Sequence, residues 1–79
     1  MPRPEVVEVK RDESTRQPLW AKLRMSDKGK AYNGFFMANG TVVKRVWWPG
    51  DEWMPKGVYD AMLKRAYGIF KKVLQESRI

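Results

Sequence analysis

Residues 18–48 read PLWAKLRMSDKGKAYNGFFMANGTVVKRVWW, and this stretch predicts a three-stranded antiparallel sheet. Apolar and polar side chains alternate over residues 19–25, which is the period of a strand with one buried face. Residues 31–38 and 41–48 are rich in the aromatic and β-branched side chains that strands favour. The three segments are therefore predicted to be strands that share one sheet.

Two turns set the pairing of the predicted strands. Residues 26–30 contain an aspartate and a glycine and favour a five-residue turn, which places Trp20 opposite Phe36. Asn39 and Gly40 form a dipeptide typical of two-residue hairpins, because both central residues of a type I′ turn take a positive φ. A shift of one residue in either hairpin would exchange the faces of the strands.

This pairing sorts the side chains onto two faces, because directly opposed residues share a face. The first face is apolar and is expected to be buried; it comprises Leu19, Ala21, Leu23, Met25, Phe35, Met37, Val42, Val46 and Trp48. The second face combines rings with cations and is expected to be exposed; it comprises Trp20, Lys22, Arg24, Tyr32, Phe36, Arg45 and Trp47.

A C-terminal helix is predicted over residues 55–77. Pro55 suits the first helical position, and apolar side chains recur after it with the helical period. The apolar stripe comprises Tyr59, Met62, Leu63, Ala66, Ile69, Phe70, Val73 and Leu74. The predicted fold class is therefore α+β, with a small antiparallel sheet whose apolar face packs on one long amphipathic helix.

The N-terminal residues 1–17 are the most polar part of the chain, and several places in the fold are open to them. Residues 5–10 combine valines with alternating charge and could add a fourth strand at the edge of the sheet. The segment could also cover the aromatic face as a flap, or form a charged arm. In each case residues 1–79 are predicted to be one small domain.

The composition excludes several kinds of site. The chain has neither cysteine nor histidine, which removes disulfides, thiolate nucleophiles, histidine bases and nearly every structural zinc arrangement. We therefore expect no catalytic residue, no metal and no cofactor. Apolar runs fall short of the roughly 20 residues of a membrane span, and the N-terminal residues lack the apolar core of a secretory signal. Both observations favour an intracellular, cytoplasmic protein without a membrane partner.

The face of rings and cations favours nucleic-acid binding without catalysis. The chain carries 16 Lys and Arg against 9 Asp and Glu, a formal net charge of +7 that suits a polyanionic partner. Aromatic rings can stack on bases, while Lys and Arg contact phosphates or base edges. The target could be single-stranded RNA or DNA, or duplex DNA read by a sheet in the major groove.

A secondary basic patch is predicted on the exterior of the helix. It comprises Lys64, Arg65, Lys71 and Lys72. These cations could add phosphate contacts, or they could form a solvated face whose charges favour the helix dipole.

Two other functions would use the same aromatic face. Trp, Tyr and Arg dominate protein–protein hot spots, so the face could dock a small adaptor or inhibitor on a larger protein, including one that handles nucleic acid. The face could also be buried between two copies of the chain in a homodimer.

The predicted order of three strands followed by a helix is similar to that of some small DNA-binding domains, the integrase arm-binding and plant AP2 types. With a fourth strand it resembles the single-strand-binding coactivator fold. The likeness is one of topology, without their sequence motifs, and topology alone does not imply function.

Overall fold

The computed structural model describes residues 3–39, 42–46 and 54–76, which form four antiparallel strands packed against one C-terminal helix. The strands are neighbours in the sheet in the order of the chain, and the helix packs over the last three of them. The predicted α+β class is confirmed. The elements are β1 Glu5–Arg11, β2 Pro18–Asp27, β3 Lys30–Asn39, β4 Val42–Arg45 and α1 Lys56–Glu76.

Strand β1 lies at the edge of the sheet, beside β2. Of the alternatives for the N-terminal segment, the fourth strand is therefore the one observed. Val6 pairs with Leu23 and Glu8 pairs with Lys22, so Val7 is an extra residue in the edge strand. Such a bulge bends an edge and hinders the addition of a further strand. Because the N-terminal segment pairs side by side with β2, it extends the sheet instead of covering a face.

The loop between β1 and β2 is organised by Asp12. Its carboxylate accepts hydrogen bonds from the backbone N–H groups of Thr15 at 3.1 Å and Ser14 at 2.8 Å. These two bonds hold the pKa of the Asp12 carboxyl below its ordinary value, and the bond from Thr15 lowers the pKa more than the bond from Ser14 does. The backbone of Asp12 is also bonded to Arg16 and Gln17, both at 2.9 Å, which closes the loop on itself.

The first hairpin differs from the prediction in its turn. The loop has only Lys28 and Gly29, whose φ angles of 51° and 79° are those of a type I′ turn. Asp27 and Lys30 therefore face each other across the turn. The predicted five-residue turn is wrong, and the register moves by one residue. When the register shifts by one residue, the side chains of β3 exchange faces relative to those of β2.

The second hairpin is displaced in a way that does not change the faces. Asn39 pairs with Val42, and residues 40–41 lie outside the described residues. The register differs from the predicted one by two residues, which preserves the sorting of side chains between β3 and β4. Strand β4 ends at Arg45, and the predicted strand residues 47–48 also lie outside the described residues.

The core lies between α1 and the side of the sheet that faces it. The buried apolar side chains are Ala21, Leu23, Phe36, Val43, Met54, Val58, Met62, Ala66 and Phe70. The predicted core is confirmed for the middle of β2 and for the helix stripe, and it is wrong for β3 and β4. Of the predicted core residues, Met37 is 37% exposed, Val42 is 51% exposed and Leu19, at the start of β2, is 46% exposed. Phe35 and Val46 are half-buried.

A close contact between β3 and α1 requires glycine at position 34. A Cβ atom on Gly34 would lie 2.5 Å from Cε2 of Phe36 and 2.8 Å from Sδ of Met62. The Phe36 ring thus covers the glycine from the same strand, and the Met62 side chain reaches it from the helix. Gly34 is therefore buried on the inner side of the sheet.

Helix α1 follows Pro55, whose carbonyl accepts a hydrogen bond from the Tyr59 N–H at 3.0 Å. Pro55 therefore occupies the N-cap position, one residue before its predicted place in the helix. The helix ends at Glu76. In the described part of the chain, no helix combines the length and apolar character that crossing a membrane requires.

Candidate nucleic-acid interface

The side of the sheet turned away from α1 carries the predicted ring and cations of β2. Lys22 and Arg24 are exposed and Trp20 is half-buried, in agreement with the alternation of residues 19–25. Because opposed residues share a face, the register adds residues of the other three strands to this surface. We call it the outward face; it comprises Glu5, Glu8, Lys10, Trp20, Lys22, Arg24, Phe35, Met37 and Lys44.

Trp20 and Phe35 form the aromatic centre of the outward face. Their ring centroids are 4.7 Å apart and their planes are inclined by 30°, which is close to an offset stack. Trp20 lies opposite Met37, and Phe35 lies opposite Lys22, so the two rings meet diagonally across β2 and β3. Both side chains keep part of their surface accessible, and this surface can receive a flat partner.

Cations stand at both ends of the line that crosses the sheet at Trp20. Lys10 on β1 lies opposite Trp20, and Lys44 on β4 lies opposite Met37. Both lysines are exposed. From one edge to the other, the line is therefore lysine, tryptophan, methionine and lysine, which places an apolar centre between two positive charges.

The cations of β2 have acidic neighbours on β1. Glu8 lies opposite Lys22, and Glu5 lies opposite Arg24. Opposite charges in directly opposed positions favour this register. They also make the outward face asymmetric, since its two carboxylates are both on β1 while β3 and β4 contribute none. A shallow open hollow borders Arg24 and is lined by Arg3, Glu5, Arg24, Met25 and Ser26.

Three of the predicted interface residues lie on the side of the sheet that faces the helix, because β3 and β4 are turned over. Phe36 is fully buried, with its ring centroid 6.3 Å from that of Tyr59. Arg45 is 6% exposed and donates a hydrogen bond from Nη2 to the Asn33 carbonyl at 3.3 Å. Tyr32 is half-buried. The predicted exposed positions of Phe36 and Arg45 are therefore wrong.

The remaining predicted ring, Trp47, lies outside the described residues. The structure also brings residues to the outward face that the sequence analysis did not place there, namely Phe35, Met37 and Lys44. The signal that would have found them is the Lys28-Gly29 dipeptide. A two-residue turn at that position gives the observed register directly.

The four cations of the secondary basic patch are exposed on α1, as predicted. They are Lys64, Arg65, Lys71 and Lys72. Since the helix covers the inner side of the sheet, this patch and the outward face lie on opposite sides of the protein. A rigid ligand of small size cannot contact both.

Metal chemistry finds no support in residues 3–39, 42–46 and 54–76, where no group of three or more Asp, Glu, His or Cys side chains could hold an ion. Comparison of the chain with protein-family models, with curated proteins and with solved structures gives no match.

Proposed function

We propose that this protein is a non-enzymatic nucleic-acid-binding protein and that the outward face is its binding surface. The observation that supports this most is the partly accessible pair of rings, Trp20 and Phe35, since Trp20 also lies in a line of residues that has a lysine at each end. Bases stack on aromatic side chains, which contributes about 1–3 kcal/mol for each base. The lysines are placed to contact the phosphates on either side.

A single strand fits this surface better than a duplex does. Four strands spaced by about 4.8 Å place the outer strands roughly 14 Å apart, which exceeds the major-groove width of about 12 Å. The whole sheet therefore cannot enter the groove face-on. A duplex would also bring a second phosphate backbone towards Glu5 and Glu8, whereas one strand can follow the basic side of the face. In a single strand, the bases are free to stack on the accessible parts of the two rings.

Trp20→Ala tests the proposal, with Leu19→Ala as the matched control. Leu19 is the adjacent residue and is 46% exposed, but it is absent from the outward face. The probes are labelled single strands and duplexes of about 20 nucleotides, and binding is measured by fluorescence anisotropy. Trp20→Ala should weaken binding to the single strands about tenfold. Leu19→Ala should leave the affinity unchanged.

The wild-type affinity for single strands should fall steeply with salt, because phosphate contacts release counterions. If the wild type binds none of the probes, the proposed function is rejected. Binding that Trp20→Ala does not change would remove the outward face as its site.

A second candidate is docking on another protein, which the apolar surface beside the rings favours. Met37 is 37% exposed and Val42 is 51% exposed on the outward side of the sheet. Exposed apolar residues around aromatic anchors are typical of protein interfaces. A pull-down with nuclease treatment tests docking on a different protein, since such a partner is retained after the nuclease. Mass in solution, measured at low concentration, tests docking on a second copy of the chain. A stable dimer that Trp20→Ala dissociates would assign the face to a second copy of the chain.

A further inference from the structure

Gly68 lies in the middle of the exposed side of α1. Glycine destabilises a helix interior relative to alanine. Apart from the adjacent residues and the backbone of the helix itself, no described atom lies within 4 Å of a Cβ atom built on Gly68, so packing does not demand a glycine. This differs from Gly34, where a side chain would collide with the core. Gly68 is a gap in the layer of side chains that covers the outside of the helix.

Four cations surround this gap. The neighbours of a residue on a helix surface lie three and four positions away along the chain. For Gly68 these neighbours are Lys64, Arg65, Lys71 and Lys72, and all four are exposed. The secondary basic patch is therefore a ring of positive charge around a point where the helix backbone is uncovered.

The helix dipole does not account for this arrangement. Its effect is confined to the last turn of a helix, and the last turn of α1 contains no basic residue. The arrangement concentrates charge around one position in the helix interior, where like charges repel one another. A bound anion would relieve that repulsion.

We propose that the sugar–phosphate backbone of a nucleic acid binds across α1 at Gly68. Because the glycine has no side chain, a phosphate can approach the helix closely. Lys64 and Lys71 then contact it from one flank, and Arg65 and Lys72 contact it from the other. These are charge-assisted contacts to phosphate oxygens, and they carry no base preference.

This site does not depend on the proposed role of the outward face. The two surfaces lie on opposite sides of the protein, so one molecule holds two stretches of nucleic acid at once. The outward face selects bases that are free to stack, whereas the Gly68 site accepts the backbone of a single strand or a duplex, of RNA or DNA.

Gly68→Gln is the first test, since it fills the gap with a neutral side chain that favours a helix. Gly57→Gln is the matched control, because Gly57 is also exposed on α1 with no atom within 4 Å of its Cβ position. With a mixed-sequence duplex of about 20 base pairs as the probe, Gly68→Gln should weaken binding about two- to tenfold, the effect of losing one phosphate contact. The melting temperature of the Gly68→Gln protein should equal or exceed that of the wild-type protein. Equal affinities of the wild type and Gly68→Gln for the duplex would overturn the proposal.

The salt dependence gives a second, independent test. The double variant Lys64→Gln with Lys71→Gln should reduce the slope of log K against log salt by about 1.8 on duplex DNA, for two lost phosphate contacts. Leu19→Ala, which lies outside both proposed surfaces, should leave that slope unchanged. An unchanged slope in the double variant would reject the helix site.

The two proposals fail separately. If Trp20→Ala weakens single-strand binding and Gly68→Gln changes neither probe, the outward face stands and the helix site is rejected. If Gly68→Gln weakens duplex binding and Trp20→Ala has no effect, the helix site stands without the outward face.

Discussion

The two sides of the sheet are built by alternate residues of the same strands, and they differ in what they tolerate. On the inner side, Phe36 and Leu23 have no exposed surface, and Gly34 has no room for a methyl group. On the outward side, Trp20 and Phe35 stack on each other and still keep accessible surface. Residue type therefore says little about role in this sheet; the side on which a residue lies decides it.

The two adjacent phenylalanines give the largest expected difference between the sides. Phe36→Ala removes a fully buried ring and should lower the free energy of unfolding by about 3–5 kcal/mol, enough to unfold many domains of this size. Phe35→Ala should lower it by less than Phe36→Ala does, because the half-buried Phe35 ring is still partly in contact with solvent in the folded protein. Urea unfolding followed by circular dichroism measures both.

Equal losses for Phe35→Ala and Phe36→Ala would contradict the observed register. The reverse order would restore the predicted register, in which Phe35 lies inside.

The next largest effect is expected at a glycine of the inner side. Gly34→Ala places a Cβ atom against Phe36 and Met62 and should destabilise the fold by about 1–3 kcal/mol through overpacking. Gly68→Ala is the matched control, because the same methyl group enters open space there and should stabilise the helix by about 1 kcal/mol. Thermal unfolding of the two variants checks both signs. A stabilised Gly34→Ala variant would show that β3 and α1 are further apart than described.

A smaller effect is expected at the turn that decides which side each residue of β3 takes. Lys28 has a φ of 51°, a left-handed conformation that asparagine adopts more readily than lysine. Lys28→Asn should therefore stabilise the fold by up to about 1 kcal/mol, and Lys28→Val should destabilise it because a β-branched residue disfavours a positive φ. Stabilisation by Lys28→Val would indicate a longer turn and the predicted register.

The sequence predicted the fold class, the helix and the sides of β2, because their patterns are unambiguous. In residues 19–25, aliphatic side chains occupy only one of the two sets of alternate positions, and the helix has a single apolar side. In strand β3 both sets of alternate positions are apolar, since Phe35 and Met37 alternate with Phe36 and Ala38. Hydrophobicity therefore could not choose its inner side. That choice depended on the length of the first turn.

The same ambiguity limited the prediction of the binding surface. Trp20, Lys22 and Arg24 were placed correctly because they belong to β2. Arg45 was expected outside because the predicted pairing put it on the same face as Trp20, yet it lies inside next to the Asn33 carbonyl. The alternation within the strands predicted that rings and cations would share a surface, whereas only the register determines which rings and cations these are.

The smallest effect is expected at Asp12, whose loop fixes the register between β1 and β2 and so places Lys10 opposite Trp20 on the outward face. Hydrogen bonds from the Thr15 and Ser14 N–H groups lower the pKa of the Asp12 carboxyl in the folded protein, so folding favours the charged form. The resulting stabilisation is complete above the pKa of the unfolded chain, roughly 3.9, and is lost as the pH falls through the lowered folded value.

Asp12→Asn should therefore lose less stability than the wild type between about pH 6 and about pH 3 in urea unfolding. Glu13→Gln removes a neighbouring exposed carboxylate and is the control for the change in net charge. If Asp12→Asn and the wild type lose equal stability over this range, the carboxylate does not hold the loop. The register of β1, and with it the lysine beside Trp20, must then depend on the strand pairing alone.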